Sequence, residues 1–260
     1  MGGLSRDRRD IYYRRAKQEG YRARSAYKLL QIDEEYSIFR NVSKAVDLCA
    51  APGSWSQVLS VKLVKNHEQN SNIDSERPLL VAVDLQDMMP IDGVNIIKGD
   101  ITSQNTVDQI LNYFNGEKAD LILCDGSPDV TGLHDIDEFI QNQLLVSSVG
   151  ITCKLLKHGG TFIAKIFRGE NISWIYSQMF CYFELVDCCK PESSRNSSLE
   201  AFIVCRNFKY PNGNTSIPDP ISVPFISCGD LSEYDPDRTY DTDYNDPLKP
   251  VQPPINAPYH

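Results

Sequence analysis

The sequence predicts an α/β fold, a mostly parallel, doubly wound sheet flanked by helices. Short runs that are apolar on both faces alternate with helical segments, as strands do when they are buried between two helix layers. The first run, KAVDLCA (44–50), ends at Pro52-Gly53 and leads into a helical pattern from Ser54 to Lys65, so strand, turn and helix follow in order. Later runs end in Asp84, Asp100 and Asp125, and ligands of doubly wound sheets sit at the carboxyl ends of their strands.

Each element follows from local pattern. Asp7 to Tyr36 alternates basic and apolar positions without Pro, which reads as two helices parted by Gly20. Ser54 suits the N-cap of the next helix, and His67 to Pro78 is polar enough for a surface loop. LLVAVDL (79–85), VNIIKGD (94–100) and ADLILCDG (119–126) read as strands, with a helix at Ser103 to Phe114 between the last two. A long helix over Asp137 to Leu156 meets the stop His158-Gly159-Gly160, and GTFIAKIF (160–167) follows as a strand. Residues 171–180 are helical in pattern, and 182–188 with 201–207 close the sheet.

The 260 residues, 41% hydrophobic and 23% charged, suit one large domain with a short extension. No run approaches the roughly 18–20 apolar residues a membrane span needs. The N-terminus is polar and basic, unlike a signal peptide, so the Asn171 triplet is not expected to be glycosylated. The eight cysteines lack zinc or C-x-x-C spacing, so no metal is expected, and they read as buried hydrophobes of a reducing compartment, the cytoplasm or the nucleus.

Net charge is −9, but residues 1–28 carry nine Lys/Arg against three Asp/Glu. Residues 211–260 carry eight acidic and two basic residues and ten of the fifteen prolines. This divides the chain into a basic helical arm (1–40), a central domain (41–208) and an acidic, proline-rich tail (209–260). The tail cannot bury enough surface by itself to offset its ordering entropy, so an extended or disordered segment is expected. The arm interleaves Arg with Tyr, which suits phosphates and stacked bases. Arg8, Arg9 and Arg24 are the candidate RNA contacts; the plainer reading is a helix pair with Tyr inside and Arg outside.

Gly53 leaves room for a ligand near the main chain. The fingerprint G-x-G-x-x-G is absent, which weighs against a nicotinamide dehydrogenase and favours a nucleoside ligand without a diphosphate. Asp84 can accept both hydroxyl protons of a ribose. Lys165 interrupts FIAKIF, and a buried lysine needs a partner or a function. Lys28 and Glu200, taken singly, read as a snorkelling helix lysine and a strand-edge carboxylate. Trp55 alone reads as a core anchor, and each aspartate alone as a turn former or helix cap.

With DLCAAPGSW at 47–55 and these polar residues in place, residues 5–207 resemble the FtsJ-like RNA ribose 2′-O-methyltransferases. The resemblance implies a Rossmann-like, mostly parallel seven-stranded sheet and S-adenosyl-L-methionine as cofactor. It implies that Gly53 and Trp55 contact the methionine portion, Asp84 the ribose and Asp100 the adenine end, with Asp125 near the methyl. Lys28, Asp125, Lys165 and Glu200 match the family's catalytic tetrad, with Lys165 as base, Lys28 positioning the ribose and the carboxylates orienting the lysines. Burial and Lys28 would lower the pKa of Lys165, whereas Asp125 and Glu200 would raise it; sequence leaves the balance open. The N-terminal GGLSRDRRDIYYRRAK, RARSAYKLLQID and VPFISCGDLSEYDPDRTY resemble the eukaryotic subgroup that modifies tRNA anticodon-loop positions 32 and 34. That likeness implies tRNA as substrate, a WD-repeat partner for position 34 and a large helical-repeat partner for position 32. The rivals are an rRNA or mRNA-cap ribose methyltransferase, and a catalytically silent RNA-binding scaffold that the intact tetrad disfavours.

Overall fold

The computed structural model describes residues 10–70, 76–128, 131–170, 172–210, 222–232 and 234–238. The strands are β1 (Lys44–Leu48), β2 (Leu79–Asp84), β3 (Val94–Lys98), β4 (Ala119–Cys124), β5 (Leu156–Phe167), β6 (Phe183–Pro191), β7 (Glu200–Phe208) and β8 (Phe225–Cys228). They form one sheet in the order β3-β2-β1-β4-β5-β7-β6-β8. β1 to β5 pair in parallel, β7 is antiparallel to both β5 and β6, and β8 is parallel to β6. Strand order reverses between β1 and β4, which opens the crevice where doubly wound sheets bind ligands.

Alternate residues of the central strands face opposite layers. Val46, Leu48, Ile122 and Phe162 enter one core, and Ala45, Leu121, Leu123 and Ile163 enter the other. In the first core, Phe183 lies between Phe162 and Phe208, at centroid separations of 6.2 and 5.4 Å. Truncating one such buried ring costs about 3–5 kcal/mol.

The helices are α1 (Ile11–Glu19), α2 (Ala26–Tyr36), α3 (Ser54–Leu59), α4 (Asn66–Asn70), α5 (Gln104–Tyr113), α6 (His134–Leu155) and α7 (Ile172–Tyr182). Asp10 caps α1 by accepting the Tyr13 N–H, and Gly20 ends it at φ 81°. Ser54 is not the cap of α3. Gly53, at φ 107°, takes that position, and the Ser54 hydroxyl instead meets that of Ser25 at 2.6 Å. Ser60–Lys65 continues α3 as a π-helix, and α4 extends helix into the stretch expected to be loop. The glycines at 159 and 160 lie inside β5, because α6 already ends at Leu155.

The sheet has eight strands where seven were expected. The extra one comes from the segment whose composition predicted extended or disordered chain. Residues 211–221 and 239–260 lie outside the described residues, but 222–238 do not behave as a free tail. The β6 edge supplies the backbone partners that this segment lacks alone, and Cys228 reaches the second core fully buried. The Cys188 N–H donates to the Pro224 carbonyl at 2.9 Å, and the Glu192 N–H to the Cys228 carbonyl at 2.8 Å. Beyond β8, the Tyr234 carbonyl accepts the Tyr12 hydroxyl at 3.0 Å, and Tyr234 packs against the cluster of Ile11, Tyr12, Ala16 and Tyr27. Among the described residues no helix is long and apolar enough to cross a membrane. All eight cysteines are free thiols, five of them buried.

Removing residues 222–260 should therefore destabilise the domain by about 2 kcal/mol, a fall in Tm of roughly 4–8 °C. Thermal unfolding of the truncated and full chains tests this; equal Tm values would mean that β8 contributes nothing.

Candidate active site

A cavity of about 570 Å³ opens at the carboxyl ends of β1 to β5, within the size range of small-molecule sites. Lys28, Asp84, Asp100, Asp125 and Lys165 all line it. Asp84 stands where β2 ends. Its Oδ2 accepts the Ala51 N–H at 2.9 Å and its Oδ1 the Gln86 N–H at 2.8 Å, which fixes the carboxylate and leaves each oxygen a lone pair. Asp100 accepts both the backbone N–H and the hydroxyl of Thr102, and these bonds lower its pKa from the ordinary value.

Beside these carboxylates, four side chains form one charged chain. Lys28, on α2, meets both oxygens of Glu200 at 2.7 Å. Glu200, at the start of β7, also accepts the Ser194 hydroxyl at 2.8 Å and lies 3.6 Å from the Lys165 ammonium. Lys165, on β5, pairs with Asp125 Oδ1 at 2.7 Å and donates to the Asp125 carbonyl at 3.0 Å. The four residues that are distant in sequence thus meet at one place.

This geometry settles the balance at Lys165. Burial opposes its charge, but Asp125 and Glu200 outweigh burial, and its pKa lies above the ordinary lysine value. Glu200 shows the mirror image: burial alone would raise its pKa, but Lys28, Lys165 and the Ser194 hydroxyl bring it down to about 2.

Other expected residues lie elsewhere. Trp55 is 2% exposed, donates its indole N–H to the Ser25 carbonyl at 2.8 Å and packs against Phe202. It borders a small side chamber with Asp47, Cys49 and Asp125 rather than the main wall. Gly53 is also off that wall; a Cβ there would lie 2.6 Å from Arg22 Nη1 and 2.8 Å from Ile91 Cδ1. Arg8 and Arg9 lie outside the described residues. Arg24 is no surface cation: it pairs with buried Asp10 and donates to the Ser193 carbonyl. It ties α1 to the loop before β7, because a carboxylate as buried as Asp10 demands a charged partner.

Three contributors escaped the sequence reading. Ser194 orients Glu200 from a loop without a motif. Gln141 donates to the carbonyls of Gly126 and Lys165 at 3.1 and 3.0 Å, bracing the two strand ends that carry Asp125 and Lys165. Its only sequence signal is a polar residue on the inner face of a long helix. Asp47 accepts the Ser56 hydroxyl at 2.5 Å, and burial, aided by Asp125 and Asp84, pushes its pKa up to about 7.

The wall suits a cationic nucleoside better than a dinucleotide. Among its described residues the cations are Lys28 and Lys165, each already matched to a carboxylate, whereas Asp84 and Asp100 face the cavity without a cation from that pair. A sulfonium nucleoside such as S-adenosylmethionine fits that charge, and Asp84 fits a ribose diol. Fold and site together fit a Rossmann-like methyltransferase.

Known proteins agree. Residues 21–208 match the family model of the FtsJ-like methyltransferase. A Schizosaccharomyces pombe protein named tRNA (cytidine(32)/guanosine(34)-2′-O)-methyltransferase is 50% identical, over 100% of this chain and 95% of its own length. The Homo sapiens protein of that name is also 50% identical, over 100% of this chain and 83% of its own. A Plasmodium falciparum crystal structure named as a ribosomal RNA methyltransferase superposes with a TM-score of 0.62 at 26% identity, covering 72% of this chain and 98% of that one. The chain belongs to the FtsJ-like methyltransferase family.

Because the Glu200 pKa is depressed from 4.5 to about 2, its ion pairs stabilise the fold fully above pH 4.5 and are lost as pH falls through about 2. Glu200→Gln should therefore be less stable than wild type at pH 7, and the gap should narrow between pH 4.5 and 2. Denaturant unfolding across that range measures it; a gap independent of pH would contradict the pairing.

Proposed function

We propose that this chain methylates ribose 2′-hydroxyls in the tRNA anticodon loop, at positions 32 and 34, with S-adenosylmethionine as donor. The observation that carries the chemistry is the chain Lys28–Glu200–Lys165–Asp125, whose two lysines and Asp125 line the strand-end cavity while Glu200 links the lysines from behind it. The choice of tRNA rests on relatives that match the whole chain at 50% identity and bear that activity in their names.

When bound, S-adenosylmethionine supplies an electrophilic methyl on a positively charged sulfur. Asp84 would hold its ribose, Asp100 its adenine end and Asp125 the region of the sulfonium, with Gly53 and Trp55 shaping the methionine end from behind the wall. Lys28, held by Glu200, positions the acceptor ribose in line, and such alignment provides much of the acceleration. Lys165 takes the hydroxyl proton as the oxygen attacks. It must first be neutral, so the carboxylates that orient it also set the pH at which it works. Sharing Asp125 with a cationic ligand would weaken its hold on the Lys165 proton and move the amine toward the neutral form.

The basic arm, with Arg8 and Arg9 at its start, is assigned to RNA phosphates. Residues 209–260 are assigned to partner capture, by a WD-repeat protein for position 34 and a large helical-repeat protein for position 32, in the cytoplasm. These assignments rest on family resemblance and on charge distribution.

Lys165→Ala should lower methyl transfer by about 10²–10⁴-fold while S-adenosylmethionine still binds. Mapping 2′-O-methylated nucleotides in tRNA and rRNA after incubation with the full chain, alone and with each partner, checks the substrate. Marks on rRNA alone would refute the tRNA reading, and retained turnover in Lys165→Ala would remove that residue from its role. Glu200→Gln should displace the acid limb of the rate profile to lower pH, because loss of the anion lowers the Lys165 pKa.

A further inference from the structure

We propose that Arg22 is a positioning residue that fixes the spacing of the two loops framing the donor pocket. This rests on reading the strand-end cavity as the S-adenosylmethionine site.

Arg22 belongs to the segment between α1 and α2, which Gln57 of α3 holds at two points. The Arg22 N–H donates to Gln57 Oε1 at 2.9 Å, and Gln57 Nε2 donates to the Gly20 carbonyl at 3.1 Å. From that anchored backbone the side chain reaches two separate loops. Nη1 donates to the Pro52 carbonyl at 2.9 Å, and Nη2 donates to the carbonyls of Met89 and Pro90, both at 2.9 Å.

Both loops frame the cavity. Pro52 lies on its wall, and Met89 and Pro90 continue the stretch from Asp84, Leu85 and Gln86 that forms another part of it. The Ala51–Asp84 hydrogen bond at 2.9 Å ties the same two loops at a second point. Loop 51–53 is therefore held to loop 84–90 twice, once through a wall carboxylate and once through a guanidinium. Three carbonyls received by one planar, permanently charged fork is a task for arginine; a lysine ammonium lacks that span and geometry.

The fit at Gly53 is the second observation. Its φ of 107° already favours glycine, and a Cβ there would lie 2.6 Å from Arg22 Nη1 and 2.8 Å from Ile91 Cδ1, so a side chain would have to push the guanidinium off its carbonyls. The segment that carries Arg22 also leads into the acceptor side of the site. The Ser25 carbonyl receives the Trp55 indole, and α2 then presents Lys28. One stretch of chain thus sets donor loops and acceptor lysine together. Arg22 lies within the Arg/Tyr-rich arm, but its two terminal nitrogens are engaged with main-chain carbonyls.

The test is isothermal titration of S-adenosylmethionine into full-length wild type, Arg22→Ala and Arg22→Lys, with steady-state methylation and tRNA binding measured alongside. Arg22→Ala should weaken donor binding about tenfold or more, the scale of losing charge-assisted hydrogen bonds. It should raise KM for the donor equally, with kcat at saturation within about threefold and tRNA affinity within about twofold of wild type. Arg22→Lys should recover part of the donor affinity; if Arg22→Ala does not fold, Arg22→Lys must still show the raised KM with near-normal kcat. Donor affinity equal to wild type in both variants, or a loss confined to kcat or tRNA binding, would overturn the role of Arg22 alone. Failure of the wild type to bind the donor would overturn the reading of the cavity, and this inference with it.

Discussion

Two mostly buried ammonium groups line one open cavity, and Glu200 stands between them. Desolvation disfavours each charge, and like charges in such a place repel. Glu200 meets Lys28 with both oxygens and faces Lys165, which Asp125 flanks on its other side. The arrangement is stable because cations and anions alternate along it, and breaking such a buried set by removing one member is far costlier than its net contribution to folding. The same alternation aims the two lysines into the cavity, so the interaction that makes the site tolerable also makes it usable.

That chain of charges makes demands on elements far apart in sequence. Lys28 comes from the arm, Asp125 and Lys165 from neighbouring parallel strands, and Glu200 from the antiparallel strand next to β5. Lys165 and Phe202 are register partners across β5 and β7, so a slip of one residue would turn Lys165 to the opposite face. The arm in turn is held by Arg24 and its partners Asp10 and Ser193, by Gln57, and by Tyr234 from beyond β8. What composition marks as a basic arm and a free acidic tail are, in the described residues, parts of one framework that carries Lys28.

Charge counts misled where they ignored internal partners. Arg24 belongs to a run that reads as a polyanion-binding surface, yet it neutralises a buried aspartate. Proline and aspartate content leads to the expectation that the tail alone is extended or disordered. It says nothing of the open β6 edge that receives Phe225–Cys228. A strand that depends on a preformed neighbour leaves only a faint local pattern, because its partners lie elsewhere in the chain.

The sequence by itself determined the doubly wound sheet, since short runs apolar on both faces and helical spacing are local properties, and it placed carboxylates at successive strand ends. Motif resemblance identified Lys28, Asp125, Lys165 and Glu200, and strand-end logic identified Asp84 and Asp100, all but Glu200 on the cavity wall. Only the tertiary structure decided that the carboxylates outweigh burial and raise the Lys165 pKa, because that contest turns on distances of a few ångströms. It also decided that Gly53 accommodates an arginine and that Trp55 and Arg24 serve the framework, since each depends on a neighbour about thirty or more residues away, as Ser25, Pro52 and Ser193 are from Trp55, Arg22 and Arg24.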